Sequence, residues 1–510
     1  MMTTERSRIQ NSLYNLIWGG GMQVLSLVVS FISRTVFIRL MNEYYLGVNG
    51  LFANVLTILS FSELGLGSAI IYNMYKPVAE GNIKKISALV RFYGKVYTYI
   101  SVIVLVIGLL LTPLIPHLIN GEPNIQENIY IVYWLFLGNL VASYLFSYRK
   151  SLFTVFQQEY INVAIERIGV IVMHILQLVF LYYTNDFYGY LIIQIPSTLL
   201  INLITHNLAL KKYAYIVNIG AKLAKNEIKT IFKDVSSLFT YKIGSIILNA
   251  TDNILISKLI DLASVGLSSN YILVVSSAET ILSKALNGIV ASIGNHNASQ
   301  DNSSKLKIFE ELMLATNWIY GFCAIEMSVL INDVIQLWLG DKYIINNWGF
   351  VFAVVFSFYV FGVNFVASSY RITMGFFREA RLVPFIASII NIILSIYLGK
   401  RIGLTGIFIA TCVSRILTFN TIDALLVIKK GLQAKASKYF IFQAGFLCVI
   451  IVTTIICNTI IGYIDLSSRI LDLLVKIIVV ALIANIVFFL AYSKTEIFTR
   501  LRNRVLSSFN

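Results

Sequence analysis

Residues 34–77 read RTVFIRLMNEYYLGVNGLFANVLTILSFSELGLGSAIIYNMYKP. Two apolar stretches meet here across a short polar joint. The first closes on Arg34 and Arg39; the second runs over 44–71 with Glu63 as its charge. A helix rises about 1.5 Å per residue, so about 20 apolar residues cross a hydrocarbon core of about 30 Å. The same pattern continues along the chain, at 14–40, 44–71, 89–113, 127–148, 163–183 and 187–210, then at 237–258, 265–290, 308–334, 348–370, 383–400 and 404–428, and finally at 439–462 and 468–492. The expected fold class is all-α and integral to a membrane, with about fourteen transmembrane helices.

Composition agrees. The 510 residues are 57% hydrophobic and 13% charged, with a mean hydropathy of +0.78; a soluble domain carries roughly 25% charge. The net charge of +15 is spread over joints between apolar stretches, which excludes a basic nucleic-acid-binding domain. Cys323, Cys412, Cys448 and Cys457 all fall in apolar stretches without a CxxC pair, and His117, His174, His206 and His296 are scattered. Neither set has metal-ligand spacing, and no cofactor is expected. The first apolar stretch is too long for a cleavable signal and lacks a small-residue cleavage site.

With the N-terminus placed in the cytoplasm, the inside segments with the inner ends of the spans carry 29 of the 40 Lys and Arg, the outside loops with the outer ends 6 and the span interiors 5. This bias predicts both termini inside and an even number of crossings. The longest outside loop, 112–128, has no Lys or Arg. Shifting the first half by 219 positions sets Arg39 on Lys258, Leu40 on Leu259, Asn42 on Asp261, Gly47 on Gly266 and Phe52 on Tyr271. Two parallel six-helix repeats are thus expected, a transporter plan with a cavity at the repeat interface. The expected divisions are an N-lobe over 1–210, a cytoplasmic amphipathic linker over 211–236, a C-lobe over 237–428, two further helices over 429–492 and a basic amphipathic tail over 493–510.

An ionised side chain inside a bilayer costs several kcal/mol unless it faces protein or water. The cations placed by depth are Arg34 and Arg39 in helix 1, Lys258 and Lys242 in helix 7, Lys284 in helix 8 and Arg415 in helix 12. They occur at all depths and in both halves, as an anion path needs. The competing reading is snorkelling for Arg39, Lys258 and Arg371, and an ion pair or carbonyl contact for Arg34, Lys242, Lys284 and Arg415. The acids singled out are Glu63, Asp252, Glu279 and Glu326; proton or sodium coupling competes there with structural pairing. No GxxxxGK[ST], HExxH or GxSxG is present, so no enzyme activity is expected.

The helix-1 arginine pair, the YLGVNGLF turn, the ELGLGSAI segment and the following YKP, together with TDNILISKLIDLASVGLSSNY at 251–271, resemble the bacterial polysaccharide-transport flippases of the multidrug/oligosaccharidyl-lipid/polysaccharide superfamily. The resemblance implies two six-helix lobes around a central cavity, plus two extra helices, in the cytoplasmic membrane of a bacterium. It implies an undecaprenyl-diphosphate-linked oligosaccharide as substrate, turned from inner to outer leaflet for capsule, O-antigen or exopolysaccharide synthesis. A polysaccharide polymerase and glycosyltransferases would be the partner machinery. The diphosphate role carries to Arg34 and Arg39, and to Lys258; Lys242, Lys284 and Arg415 rest on depth alone. Three alternatives stay open: a drug/cation antiporter of the same superfamily, a flippase for a peptidoglycan or teichoic precursor, and a membrane polysaccharide polymerase.

Overall fold

The computed structural model describes residues 8–60, 66–299 and 301–507, which form helices and connecting turns with no strand among them. The chain divides into two units, Met1–Gly266 and Leu267–Asn510. In the first, α1 (Arg8–Leu40) is followed by α2 (Glu43–Leu59), α3 (Leu66–Ala79) and α4 (Ile83–Leu111). Then come α5 (Ile129–Tyr144), α6 (Lys150–Val155), α7 (Glu159–Thr184), α8 (Phe187–Ile192), α9 (Gln194–Lys212), α10 (Ala214–Val217) and α11 (Lys225–Leu259). α12 (Leu262–Ser299) begins in the first unit and continues into the second. The second unit holds α13 (Asn302–Leu339), α14 (Trp348–Val363), α15 (Phe365–Thr373), α16 (Val383–Arg415), α17 (Thr421–Leu425), α18 (Ala436–Ile461), α19 (Arg469–Tyr492) and α20 (Glu496–Ser507).

Among the described residues, nine helical spans are long and apolar enough to cross a hydrocarbon core, and a bent pair, Ile129–Tyr144 with Ser147–Val155 at 41°, makes a tenth. One of these spans, Val383–Gly431, holds two of the expected stretches. Its helix reverses at Ile402 and at Gly403, whose φ of +60° only glycine adopts without strain. The remaining expected stretches fall on α1, on α2 and α3, and on α11. α11 starts at Lys225, so the second half of the joint expected over 211–236 is helix continuous with the span that follows.

The repeat read from sequence has a physical counterpart at its turns. Asn42 caps α2, its Oδ1 accepting from the Tyr44 and Tyr45 amides at 3.0 and 3.4 Å. Asp261, its partner under the shift, caps α12 by accepting from the Ser264 amide at 2.6 Å. The two turns pack on each other reciprocally. A Cβ on Gly47 would lie 2.0 Å from the Leu262 carbonyl oxygen, and one on Gly266 would lie 2.0 Å from that of Glu43. Glu43 and Leu262 are themselves related by the same shift, so residue i meets j′ and j meets i′, as in a two-fold contact. Both copies then bury an aromatic completely: Phe52 against Tyr133, and Tyr271 against Phe350.

Candidate functional site

In the first unit, α1 packs along α7, and its Arg34 is half-buried within electrostatic reach of Tyr190 on α8. One turn on, Phe37 is buried against Tyr190 and Phe187 at ring distances of 5.1 and 6.2 Å. Phe187 also meets Tyr45 edge-on at 4.8 Å, and the Tyr45 hydroxyl donates to Glu127 Oε2 at 2.7 Å. Arg34 thus stands at the edge of an aromatic wall whose hydroxyls supply polar contacts. Arg39 is exposed at the helix end.

α11 packs on α2 and α3. Lys242 donates to the Ser68 hydroxyl of α3 at 3.2 Å. Lys258 is exposed beside a bracket in which the Asn120 amide group donates to Ile260 O at 2.6 Å and its backbone N–H to Ser257 O at 3.0 Å. Asp252 is half-buried on the same helix, and Glu63 lies outside the described residues.

The second unit gathers other candidates. The Arg415 guanidinium lies 5.4 Å from the Phe361 ring centroid, over its face, and within electrostatic reach of Glu279. Glu279 in turn neighbours Tyr320, which the Ser283 side chain approaches. Lys284 is exposed. Glu326 is half-buried near Cys323 and Cys457, and its Oε1 is enclosed without a hydrogen bond. No three His, Cys, Asp or Glu among the described residues converge as metal ligands.

The structure corrects one reading and adds residues. Arg371, read as a candidate for snorkelling, is 4% exposed, its Nε 2.8 Å from Asp423 Oδ1. Asn364 donates to the other carboxylate oxygen at 3.2 Å. π-helical turns at Ile416–Asn420 and Leu426–Gly431 flank Asp423, a rare backbone geometry that concentrates at functional sites. Asp423 lies inside an apolar stretch, so a fuller census of buried acids finds it. Lys476, on α19, pairs with Asp472 at 2.6 Å and Asp333 at 3.4 Å. Arg500 and Arg504 of α20 hold Glu310 and Glu311 of α13.

Outside the spans, Lys85 and Arg91 of α4 grip the segment before and into α11, at Glu227 and the Gly220 carbonyl. The Lys85 ammonium and the Ala224 amide hold the Glu227 carboxyl below its ordinary range. Lys430 does the same for Glu379.

No protein-family profile matches the chain, and no curated protein sequence matches it. Solved structures do. The lipid II flippase MurJ, in an inward closed conformation, superposes with a TM-score of 0.66 at 13% identity over 95% of this chain and 99% of its own. An inward-facing multidrug-resistance MATE transporter gives 0.62 at 12% identity, over 83% and 95%. The Vibrio cholerae MATE transporter VcmN, crystallised as a point mutant, gives 0.56 at 13% identity, over 81% and 94%. The chain therefore shares the fold of these flippase and transporter structures.

Proposed function

We propose that this protein is a flippase that turns an undecaprenyl-diphosphate-linked oligosaccharide from the inner to the outer leaflet of the cytoplasmic membrane. The product would feed capsule, O-antigen or exopolysaccharide synthesis, with glycosyltransferases and a polymerase as partners. The observation that carries this reading is the set of cations on apolar helices: Arg34, Arg39, Lys242, Lys258, Lys284 and Arg415, with Arg34 set at an aromatic wall. A diphosphate needs such partners, because a buried anion without them is prohibitive. A drug-cation antiporter would want the opposite sign.

The length of the match supports a flippase as well. MurJ matches nearly the whole chain, whereas the MATE structures leave over a share close to that of the last helix pair and tail. The same likeness favours a second reading, a peptidoglycan-type precursor as cargo, since the flippase with TM-score 0.66 is a lipid II flippase.

In the proposed cycle the sugar head passes through a wet polar path, and the polyprenyl tail stays in lipid. Stripping the hydroxyls of water is costly, while each tail CH₂ is worth about 0.8 kcal/mol in hydrocarbon. Alternating exposure of the cavity to the two leaflets completes the transfer. An inside-negative potential drives an anionic diphosphate outward at about 2.3 kcal/mol per charge per 100 mV. Asp252, Glu279 and Glu326 are the candidates for proton or sodium coupling, and Glu63 joins them from sequence alone.

The test is a deletion complemented by wild type, Arg34→Ala and Arg34→Lys. Lipid-linked oligosaccharide stranded on the inner leaflet, with normally expressed Arg34→Ala failing to restore export, supports the reading. An unchanged surface polysaccharide and lipid intermediate, in a strain without a redundant flippase, overturns it. A block in peptidoglycan synthesis with surface polysaccharide intact selects the second reading.

A further inference from the structure

The span that begins at Ile129 in the first unit breaks before it ends. α5 stops at Tyr144, and helical turns resume at Ser147 with a bend of 41°. Between them Phe146 takes the left-handed backbone at a φ of +63°, a strained state for a bulky side chain. Two residues of α9 hold this break. Asn202 Nδ2 donates to the carbonyls of Ser143 and Leu145 at 3.1 and 3.0 Å, and the His206 ring meets Phe146 O through Nδ1 at 3.3 Å. Strain that the surroundings hold in place points to a use other than stability.

What the break presents is Arg149. Its Nε and Nη1 are enclosed and make no hydrogen bond. Its neighbours are the Tyr148 ring, whose centroid lies 5.6 Å from the guanidinium carbon, and His206. Glu159, the nearest acid along the chain, accepts instead from Thr154 at 2.6 Å and Asn162 at 3.1 Å. The side chain is half-buried, so Nη2 is the nitrogen left open. Lys150, the next residue, is exposed and has no carboxylate partner among the described residues. A guanidinium with one edge enclosed and no counter-charge is costly. An anion on the open edge supplies that charge.

Depth selects the anion. Arg149 lies about 30 Å along the span from Ile129, at 1.5 Å per residue, which is a full hydrocarbon thickness. By the Lys and Arg bias this end is cytoplasmic, so Arg149 stands at headgroup level. Phosphates fixed at that level are tethered to lipid. Adjacent cations suit two linked phosphates, each taking a charge-assisted bond.

We infer that Arg149 Nη2 and Lys150 Nζ form an inner-leaflet site for a lipid-borne diphosphate, with Asn202 and His206 as positioning residues that hold the broken turn. The identity of the lipid rests on the flippase reading. In that reading this is the loading site, which holds the cargo at the inner face before it reaches Arg34, in the outer part of α1.

A local reporter tests the site apart from the rest of the transport path. The full chain, lacking its four native cysteines, carries a fluorophore at Asn207→Cys, one residue past His206 and exposed. It is titrated with undecaprenyl diphosphate in phosphatidylcholine nanodiscs. A saturable signal is expected, with Kd raised about tenfold by Arg149→Gln, equivalent to about 1.4 kcal/mol, and further by Arg149→Gln/Lys150→Gln. Melting without the lipid should be no lower for Arg149→Gln, since the enclosed edge gives up no hydrogen bond. A lower melting temperature would make Arg149 a structural cation and overturn the site. No signal, or a Kd unmoved in the double variant, also overturns it, and the flippase reading is then judged by the Arg34 export test alone. An equal response to phosphatidylglycerol overturns it in favour of a phospholipid site, and an equal response to inorganic diphosphate in favour of a soluble anion.

Discussion

At the scale of single residues, the strongest constraint is the pair Arg371 and Asp423, whose side chains are 5% and 2% exposed. Neither charge can be relieved by water, so removing one strands the other. Asp423→Asn is expected to cost about 3–5 kcal/mol, and Arg371→Met/Asp423→Leu to recover much of it, as read by thermal unfolding in detergent. A double variant no more stable than the single one would mean that the pair does not act as a unit. Glu227 makes a different prediction, because it is partly exposed and outside the spans. Its carboxyl titrates below the ordinary 4.5. The stabilisation is therefore full above about pH 4.5 and disappears as pH falls through the lower, folded value. Proteolysis of the 211–236 segment should rise in that acidic window for wild type, while Glu227→Gln should already be cut faster at neutral pH.

At the scale of elements, the informative feature is the reciprocal approach of the turns that open α2 and α12. Backbone carbonyls sit where a Cβ of Gly47 or Gly266 would go, and backbone cannot rotate away as a side chain can. Gly47→Ala and Gly266→Ala should each cost about 1–3 kcal/mol and push the two turns apart. At Gly50 the nearest atom is a Val265 side-chain methyl at 3.0 Å, so Gly50→Ala should be milder. Melting temperatures of the three variants check the ranking, and equal losses would remove the backbone argument. The tail helix α20 is a second case. Arg500 and Arg504 are the partners of Glu311, whose side chain is 3% exposed. Arg500→Ala/Arg504→Ala should destabilise this unit more than Arg502→Ala, on the exposed face of the same helix, because a buried carboxylate loses both partners.

At the scale of the whole molecule, the charge bias makes a topological prediction. A cysteine placed at Gly121, in the loop without Lys or Arg, should react with an impermeant thiol reagent added outside, in a background lacking the four native cysteines. One placed at Ser507 should react only after the membrane is opened. Both reacting from one side would imply an even number of crossings between them, where the fourteen-span reading requires an odd one, and would invalidate that reading.

Sequence alone determined the solvent, the class of fold and the repeat, because each is written in local terms. Runs of about 20 apolar residues specify crossings, Lys and Arg bias predicts their direction, and a cap plus glycine at a constant offset marks two equivalent turns. The hairpin at Gly403 was legible too, as two stretches with a short joint. Tertiary structure alone decided which charges meet. Whether Arg371 reaches the headgroups or Asp423 depends on a helix further along the chain, and hydropathy cannot rank those outcomes. The same holds for Arg34 beside Tyr190, Arg415 beside Glu279 and the enclosed edge of the Arg149 guanidinium. Depth along a helix follows from counting residues, but the direction a side chain faces is set by the neighbours packed around it, and those come from distant parts of the chain.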